Sequence, residues 1–174
     1  MSFWKPSSTN PNASQHILKD DGGSGETSGQ AFNFSRAPLA QQRMLLPIYK
    51  HKRQILYSLE NYGVIIIVGE TGSGKSTQIP QYLYENGWSD ETNDFQIVCT
   101  QPRRIAAQTL AQRVSDEVGR DSMGGTVGYT VRFDDCSDPS RTKIKFVTDG
   151  ILLREATLHD PLLSNYSVVM VDEA

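Results

Sequence analysis

Apolar residues along this chain change from scattered to periodic at about residue 41. Before that point Ser, Gly, Asn and Pro predominate, and the few hydrophobic residues follow neither a helical nor a strand period. Such a stretch cannot bury enough apolar surface to offset the entropy lost on folding. The pattern therefore predicts a disordered tail over residues 1–40 and a folded unit over residues 41–174.

The folded unit alternates between helical repeats and short apolar runs. Helices are predicted where apolar residues recur at helical spacing, over residues 47–61, 75–86, 103–119 and 151–159. Strands are predicted at the apolar runs 64–68, 97–100, 127–131, 144–147 and 168–171. The first and last runs contain no polar position, so we expect both of these strands to be buried. The last one would nevertheless expose an apolar edge, because no predicted helix follows to cover it. Strands alternating with helices predict an α/β fold, with a mainly parallel sheet and helices on both faces.

Composition narrows the possible functions. The 17 Lys and Arg residues face 20 Asp and Glu residues, for a net charge of −3. Any contact with RNA must then be local, because the chain lacks the basic excess of proteins that bind nucleic acid through their whole surface. Cys99 and Cys136 form no CxxC pair, and no signal peptide is evident, so we expect two reduced, buried thiols in an intracellular protein. The longest apolar run, residues 64–68, is far shorter than the roughly 20 residues of a membrane-spanning helix.

A glycine-rich stretch between a predicted strand and a predicted helix fits the pattern G-x-x-x-x-G-K-[ST]. The predicted nucleotide-binding residues are Gly69, Glu70, Thr71, Gly72, Ser73, Gly74, Lys75, Ser76 and Thr77. Glycines allow successive backbone N–H groups to point into one concavity, and the helix N-terminus adds its positive dipole end. Lys75 would neutralise the β and γ phosphates of ATP, and the Ser76 hydroxyl would bind Mg²⁺. The stretch therefore predicts an ATP site.

Two adjacent carboxylates follow the last predicted strand. Asp172 would hold Mg²⁺, directly or through water, and Glu173 would polarise the attacking water. By itself such a pair is usually a solvated strand end, but a phosphate loop earlier in the chain favours the catalytic interpretation. A water-activating carboxylate also favours an NTPase over a small-molecule kinase, which must exclude water. We therefore predict Lys75 and Glu173 as catalytic residues and Ser76 and Asp172 as metal ligands.

Several segments in register resemble motifs of the DEAH-box RNA helicases of superfamily two. In chain order they read GETGSGKST followed by QIPQYL, TQPRRIAA, VGYTVRFDD, TDGILLRE and VDEA. The resemblance covers about residues 46–174 and implies a RecA-like P-loop NTPase domain that couples ATP hydrolysis to RNA unwinding or remodelling in the complete protein. The motif DEAH would need a histidine after Ala174, where the chain stops. We therefore expect part of a longer protein, ending after the Walker B strand and inactive alone.

The same resemblance implies contacts for a single RNA strand and for the nucleobase. Arg113 matches a position that stacks on adenine in the family, although by itself it could be a solvated charge on a helix. Residues 132–135 match a hairpin-like segment near the RNA path, in which Phe133 is either a core residue or a contact. The predicted RNA-binding residues are Arg103, Arg104, Thr148, Asp149 and Gly150.

Location and partners are expected only by resemblance. Family likeness suggests a nuclear protein in pre-mRNA splicing or ribosome assembly, with spliceosomal or other ribonucleoprotein partners, and residues 3–6 (FWKP) faintly resemble a spliceosome-associated branch. The alternative is a stand-alone nucleotide- or RNA-binding module without motor activity. A P-loop kinase or transport ATPase is disfavoured by TQPRR and TDG.

Overall fold

A computed structural model of the chain describes residues 38–89, 95–119 and 122–173. The predicted tail lies outside these ranges except for residues 38–40. Of these, Leu39 and Ala40 belong to the first helix, which the apolar pattern did not predict.

The described residues form five α-helices and one five-stranded sheet. The helices are α1 (Leu39–Leu45), α2 (Lys52–Asn61), α3 (Lys75–Glu85), α4 (Arg104–Val118) and α5 (Asp149–Leu158), with a 3-10 helix over Pro47–His51. The strands are β1 (Gln96–Gln101), β2 (Val127–Val131), β3 (Asp134–Cys136), β4 (Ile144–Thr148) and β5 (Tyr166–Val171).

The sheet has the strand order β3-β2-β4-β1-β5. Neighbours run parallel except for β2 and β3, which form an antiparallel hairpin. Gln101 at the end of β1 pairs with Thr148 of β4, and Thr100 pairs with Val171 of β5. The carboxyl ends of these three strands therefore meet at one edge, which in open α/β sheets is the edge where ligands bind.

Helices cover both faces of the sheet, which confirms the predicted α/β class. On the face of Ile97 and Cys99, the core is closed by residues of α2, α3 and α4. On the opposite face, Val98 and Val147 pack against Leu152 of α5. The successive positions 97 and 98 point to opposite sides, as the two-residue period of a strand requires.

The predicted strand over residues 64–68 was wrong. The segment belongs to no helix or strand, with Ile65 and Ile67 packed against the core of α2 and α3, while Val64, Ile66 and Val68 are 85%, 83% and 76% exposed. None of the described strands forms a ladder with it. An apolar β-branched run favours extended backbone, but a strand also needs a hydrogen-bonding neighbour, and the run itself carries no signal for one.

The last strand is buried only in part, as expected of a strand with an uncovered apolar edge. β5 begins earlier than predicted, at Tyr166, which is buried, but Val169 and Val171 are 39% and 59% exposed. Among the described strands β5 pairs with β1 alone, at the edge of the sheet. An edge strand is covered less than a central one, and a run of apolar residues does not distinguish the two positions.

Two helix boundaries differ from the predicted ones in ways that affect the site. The predicted helix over residues 47–61 is a 3-10 helix followed by α2, and the helix predicted to begin at residue 151 begins at Asp149. A negative charge in the first turn favours that earlier start.

Candidate nucleotide-binding site

The phosphate loop leads directly into α3, as predicted. Gly72 and Gly74 have φ angles of +79° and +95°, and Gly74 is the N-cap residue of the helix. Side chains other than hydrogen disfavour this left-handed region, so the glycines let the chain turn into α3 with its first N–H groups unpaired by helix bonds. These groups are the donors that bind phosphate in loops of this type.

Residues 46–48, which precede α2, contact the phosphate loop. The Ile48 N–H donates to the Ser73 carbonyl oxygen at 3.2 Å. A Cβ atom added to Gly74 would lie 2.9 Å from Leu46 Cδ1 and 3.2 Å from Ile48 Cγ2. The loop is thus both hydrogen-bonded to this segment and packed closely on it.

Lys75 lies at the start of α3 with its ammonium group over the loop. Its Nζ donates to the Gly69 carbonyl oxygen at 2.6 Å and to the Glu70 carbonyl oxygen at 2.9 Å. Within the described ranges no carboxylate forms an ion pair with Lys75. The charge is therefore available to an anion in the loop, which fits the triphosphate of ATP.

The two predicted metal ligands lie in contact. The Ser76 hydroxyl donates to Asp172 Oδ2, which joins the first turn of α3 to the end of β5. Gln101 Nε2 donates to the same oxygen at 2.6 Å. A hydroxyl and a carboxylate beside a phosphate loop are the protein ligands that Mg²⁺ uses when substrate phosphates supply others. The donor set therefore fits Mg²⁺.

Gln101 is a site residue that the sequence analysis missed. It is 2% exposed and ends β1, the strand between β4 and β5. Its position inside TQPRR, at the end of a buried strand, was the available signal. A buried amide that donates to a carboxylate holds that carboxylate in place, as outer partners of metal ligands do.

Glu173 follows Asp172 in a strained backbone conformation. Its φ angle is +56°, and its N–H donates to Asp172 Oδ1 at 3.2 Å. Non-glycine residues in this region are uncommon and occur preferentially at functional sites. The exposed Glu173 side chain and Asp172 line an open groove of about 1000 Å³.

The predicted RNA-binding residues border this edge of the sheet. Arg103 and Arg104 line the same groove, both are exposed, and neither has an acidic partner among the described residues. Thr148 is the N-cap residue of α5, and Asp149 and Gly150 form its first turn. Because Thr148 pairs with Gln101, both segments begin at the same edge.

Arg113 lies on α4, away from the groove. Its Nε donates to Glu117 Oε1 at 2.6 Å, and its Nη2 donates to Gln42 Oε1 at 3.2 Å. Its side chain is 41% exposed. The guanidinium is thus held at two positions while much of the side chain stays exposed to solvent, so both interpretations of Arg113 remain open. Sequence analysis identified neither partner.

The hairpin of β2 and β3 places Phe133 at its tip. The ring is 88% exposed, and Arg132 lies over it with its guanidinium carbon 4.8 Å from the ring centroid. Phe133 is therefore a surface residue and not part of the core. Its φ angle of +70° belongs to the tight turn.

Cys99 is buried, as predicted, whereas Cys136, on the short strand β3, is only partly buried, so the predicted burial of Cys136 was wrong. Burial, reinforced by the negative charge of Asp172, raises the pKa of the Cys99 thiol to about 12. The thiol is therefore protonated and a weak nucleophile at neutral pH. No helix in the described part of the chain is long and apolar enough to cross a membrane.

Comparison with known proteins identifies the family. No family model matches the chain. The chain is 49% identical, over 99% of its residues, to the probable ATP-dependent RNA helicase DHX35 of Homo sapiens and to that of Pongo abelii. It is 60% identical over 137 residues, or 78% of the chain, to the probable ATP-dependent RNA helicase DHX35 homolog of Caenorhabditis elegans. The chain spans 24% of the length of the first two relatives and 18% of the third. Because the identity extends over almost the whole chain and agrees with its α/β, RecA-like sheet, the chain belongs to the family of DEAH-box ATP-dependent RNA helicases.

Proposed function

We propose that this chain binds ATP with Mg²⁺ at the phosphate loop and that the complete protein couples ATP hydrolysis to the unwinding or remodelling of RNA. The observation that carries the proposal is the contact between Ser76 and Asp172. It joins the phosphate loop to the Asp-Glu strand end beside two arginines that have no acidic partner in the described ranges.

Each residue of the site then has a distinct task. Lys75 exchanges its two backbone carbonyl partners for the β and γ phosphates, and the N–H groups of the loop hold the remaining phosphate oxygens. Ser76 and Asp172 hold the metal ion, which neutralises phosphate charge when bound. Glu173 orients the attacking water and accepts its proton.

The arginines of the groove account for the RNA side of the proposal. Arg103 and Arg104 would bind backbone phosphates, which carry no base information and give affinity without sequence preference. The start of α5 would approach the same strand through Thr148, Asp149 and Gly150. A negative net charge of the chain is compatible with this, because a local contact needs only a few positive side chains, and the groove presents Arg103 and Arg104.

Calorimetric titration of the full-length protein with ATP and Mg²⁺ tests the site. Lys75→Ala should abolish measurable binding, because the backbone alone leaves the phosphate charge poorly neutralised. Lys50→Ala, at an exposed lysine of the 3-10 helix, is the matched control and should bind as the wild type does. Equal affinity in the Lys75→Ala protein and the wild type would refute the site.

Glu173→Gln separates binding from catalysis. The amide keeps the shape of the side chain but cannot take a proton, so the variant should bind ATP normally and lose turnover by about 10²-fold or more. Glu60→Gln, at an exposed glutamate of α2, serves as the control. If Glu173→Gln hydrolysed ATP at the wild-type rate, Glu173 would have no catalytic role and would simply follow the strand.

Cellular context stays a prediction of the family resemblance. We propose a nuclear protein that acts on spliceosomal or other ribonucleoprotein particles. Fluorescence imaging of the tagged full-length protein, with isolation of the particles that co-purify with it, tests both parts. Exclusion from the nucleus would remove the splicing assignment while leaving the ATP site untouched.

A further inference from the structure

Glu117 is a buried carboxylate that the proposed reaction does not use. It lies in the last turn of α4, and its side chain is 1% exposed. Three donors converge on it: Arg113 Nε on Oε1 at 2.6 Å, and Gln78 Nε2 and Gln81 Nε2 on Oε2 at 2.8 and 2.7 Å. Burying a carboxylate is costly unless it is fully paired, so this set of donors is what makes the position tolerable.

The donors connect Glu117 to the phosphate-loop helix. Gln78 and Gln81 both belong to α3, and Gln78 Nε2 also donates to Thr77 Oγ1 at 3.1 Å, next to the loop. A continuous set of hydrogen bonds thus leads from the first turn of α3 through Glu117 to the guanidinium of Arg113.

Helix α1 closes the other side of this network. Arg43 Nε lies 3.6 Å from Glu117 Oε2 and donates to Gln78 Oε1 at 2.9 Å. Its Nη2 donates to Glu85 at 2.6 Å, and Lys52 Nζ donates to the same carboxylate at 2.6 Å. Although burial opposes ionisation of Glu85, these bonds from Lys52 and Arg43 hold its pKa below its usual range. Arg43 and Glu85 therefore clamp α1 to α3 as a charged pair.

We propose that Glu117 is a positioning residue that holds the Arg113 guanidinium ready to stack on the nucleobase of the bound nucleotide. The proposal rests on the proposed ATP site and on the adenine contact that the family resemblance implies for Arg113. Glu117 and Gln42 take hydrogen bonds at the edge of the guanidinium, and 41% of the side chain stays exposed. Bonds at the edge fix the plane of the group without occupying its faces, so a planar base can still stack on it.

Holding the Arg113 guanidinium in place before the nucleotide binds would reduce the entropy lost on binding. A free arginine loses much of its rotamer freedom when it orders on a ligand, whereas an arginine that is already held loses little. The negative charge of Glu117 is essential to this role. A glutamine at that position would turn an amide toward Gln78, Gln81 or Arg113, all of which are donors there, so at least one bond would be lost.

The test compares two ligands that share phosphates but differ in the base. ADP and pyrophosphate are titrated into the full-length wild type, Glu117→Gln, Arg113→Ala and the double variant. Glu117→Gln should weaken ADP roughly 3- to 10-fold and leave pyrophosphate within about 2-fold, as expected for a cation–π contact that is lost in part. In the Arg113→Ala background Glu117→Gln should change neither ligand further, because the two residues act through one contact.

Glu155→Gln is the control for removing a partly buried, hydrogen-bonded carboxylate away from the site. Glu155 accepts hydrogen bonds from the Tyr166 hydroxyl at 3.0 and 2.8 Å, on the opposite face of the sheet. It should leave the ratio of the ADP and pyrophosphate affinities at the wild-type value. If Glu117→Gln does not fold, Glu117→Asp decides the question, because it keeps the charge but withdraws the acceptor by about 1.5 Å, one carbon–carbon bond.

The outcomes separate this proposal from the proposed function. If Arg113→Ala weakens ADP selectively and the folded Glu117 variants do not, the positioning role is refuted while the adenine contact stands. An equal loss of ADP and pyrophosphate affinity in the Glu117 variants also refutes it, since that result means general loosening of α3. If Arg113→Ala itself fails to discriminate the ligands, the adenine contact falls and the positioning role falls with it.

Discussion

Substitution of Gly74 by alanine probes how the phosphate loop is supported. A Cβ atom at Gly74 would meet Leu46 Cδ1 at 2.9 Å, Ile48 Cγ2 at 3.2 Å and Gln78 Cγ at 3.3 Å. A Cβ atom at Gly72 would meet nothing within 4 Å. Both glycines have positive φ angles, so the pair separates backbone strain from packing.

The magnitudes follow from these two terms. Holding alanine in the left-handed region costs about 1–2 kcal/mol, and the stiffer unfolded chain returns about 0.4–1 kcal/mol. Both variants share these contributions. Gly74→Ala adds an overpacking cost of about 1–3 kcal/mol, because contacts below 3.4 Å force neighbours to move. We expect Gly74→Ala to be the less stable of the two by that difference.

Hydrogen exchange of the α3 amides in the nucleotide-free protein measures the free energy of local opening around the loop. We prefer it to global unfolding, because unfolding is not two-state in proteins of several domains. The excess cost of Gly74→Ala should shrink in a Leu46→Ala background, since Leu46 supplies the nearest atom. Equal exchange in Gly72→Ala and Gly74→Ala, or an excess cost that Leu46→Ala leaves unchanged, would refute the reasoning.

Three further predictions test the rest of the site. Gln101→Leu removes the 2.6 Å donor to Asp172, a charge-assisted bond of about 1.5–3 kcal/mol, and should raise the Mg²⁺ concentration needed for ATP binding. A Mg²⁺ requirement equal to that of Gln112→Leu, at an exposed position of α4, would contradict this. In Gly150→Ala the added methyl group meets no atom within 4 Å, so the variant should not destabilise the free protein. Any loss of RNA affinity would then come from a clash between that methyl group and bound RNA. Unchanged RNA affinity would remove Gly150 from the interface. Arg103→Ala should weaken RNA binding and reduce its salt slope by about 1, measured by fluorescence anisotropy at several salt concentrations. An unchanged slope would show that Arg103 contacts no phosphate.

Local patterns in the sequence were enough to predict the phosphate loop, the bounds of several elements and the fold class. The phosphate loop is legible because glycine, lysine and serine at fixed spacing impose a turn and a helix start over a few residues. Helix α4 and strand β2 were predicted within one residue of their bounds, since apolar periodicity reports which face of an element is covered. Parallel pairing followed from the alternation of strands and helices.

Tertiary structure alone decided which distant residues meet. Residues 64–68 and 168–171 look alike in sequence, yet only the second forms a ladder, because pairing depends on the neighbour that the fold supplies. Asp172 reaches Ser76 and Gln101 only because the ends of α3, β1 and β5 converge at one edge. Glu117 on the buried side of α4 looks like any helical glutamate until α1 and α3 bring their donors to it. Periodicity shows which face of each helix or strand must be buried. Hydrogen bonds between elements depend instead on strand order and helix packing, which no local pattern encodes.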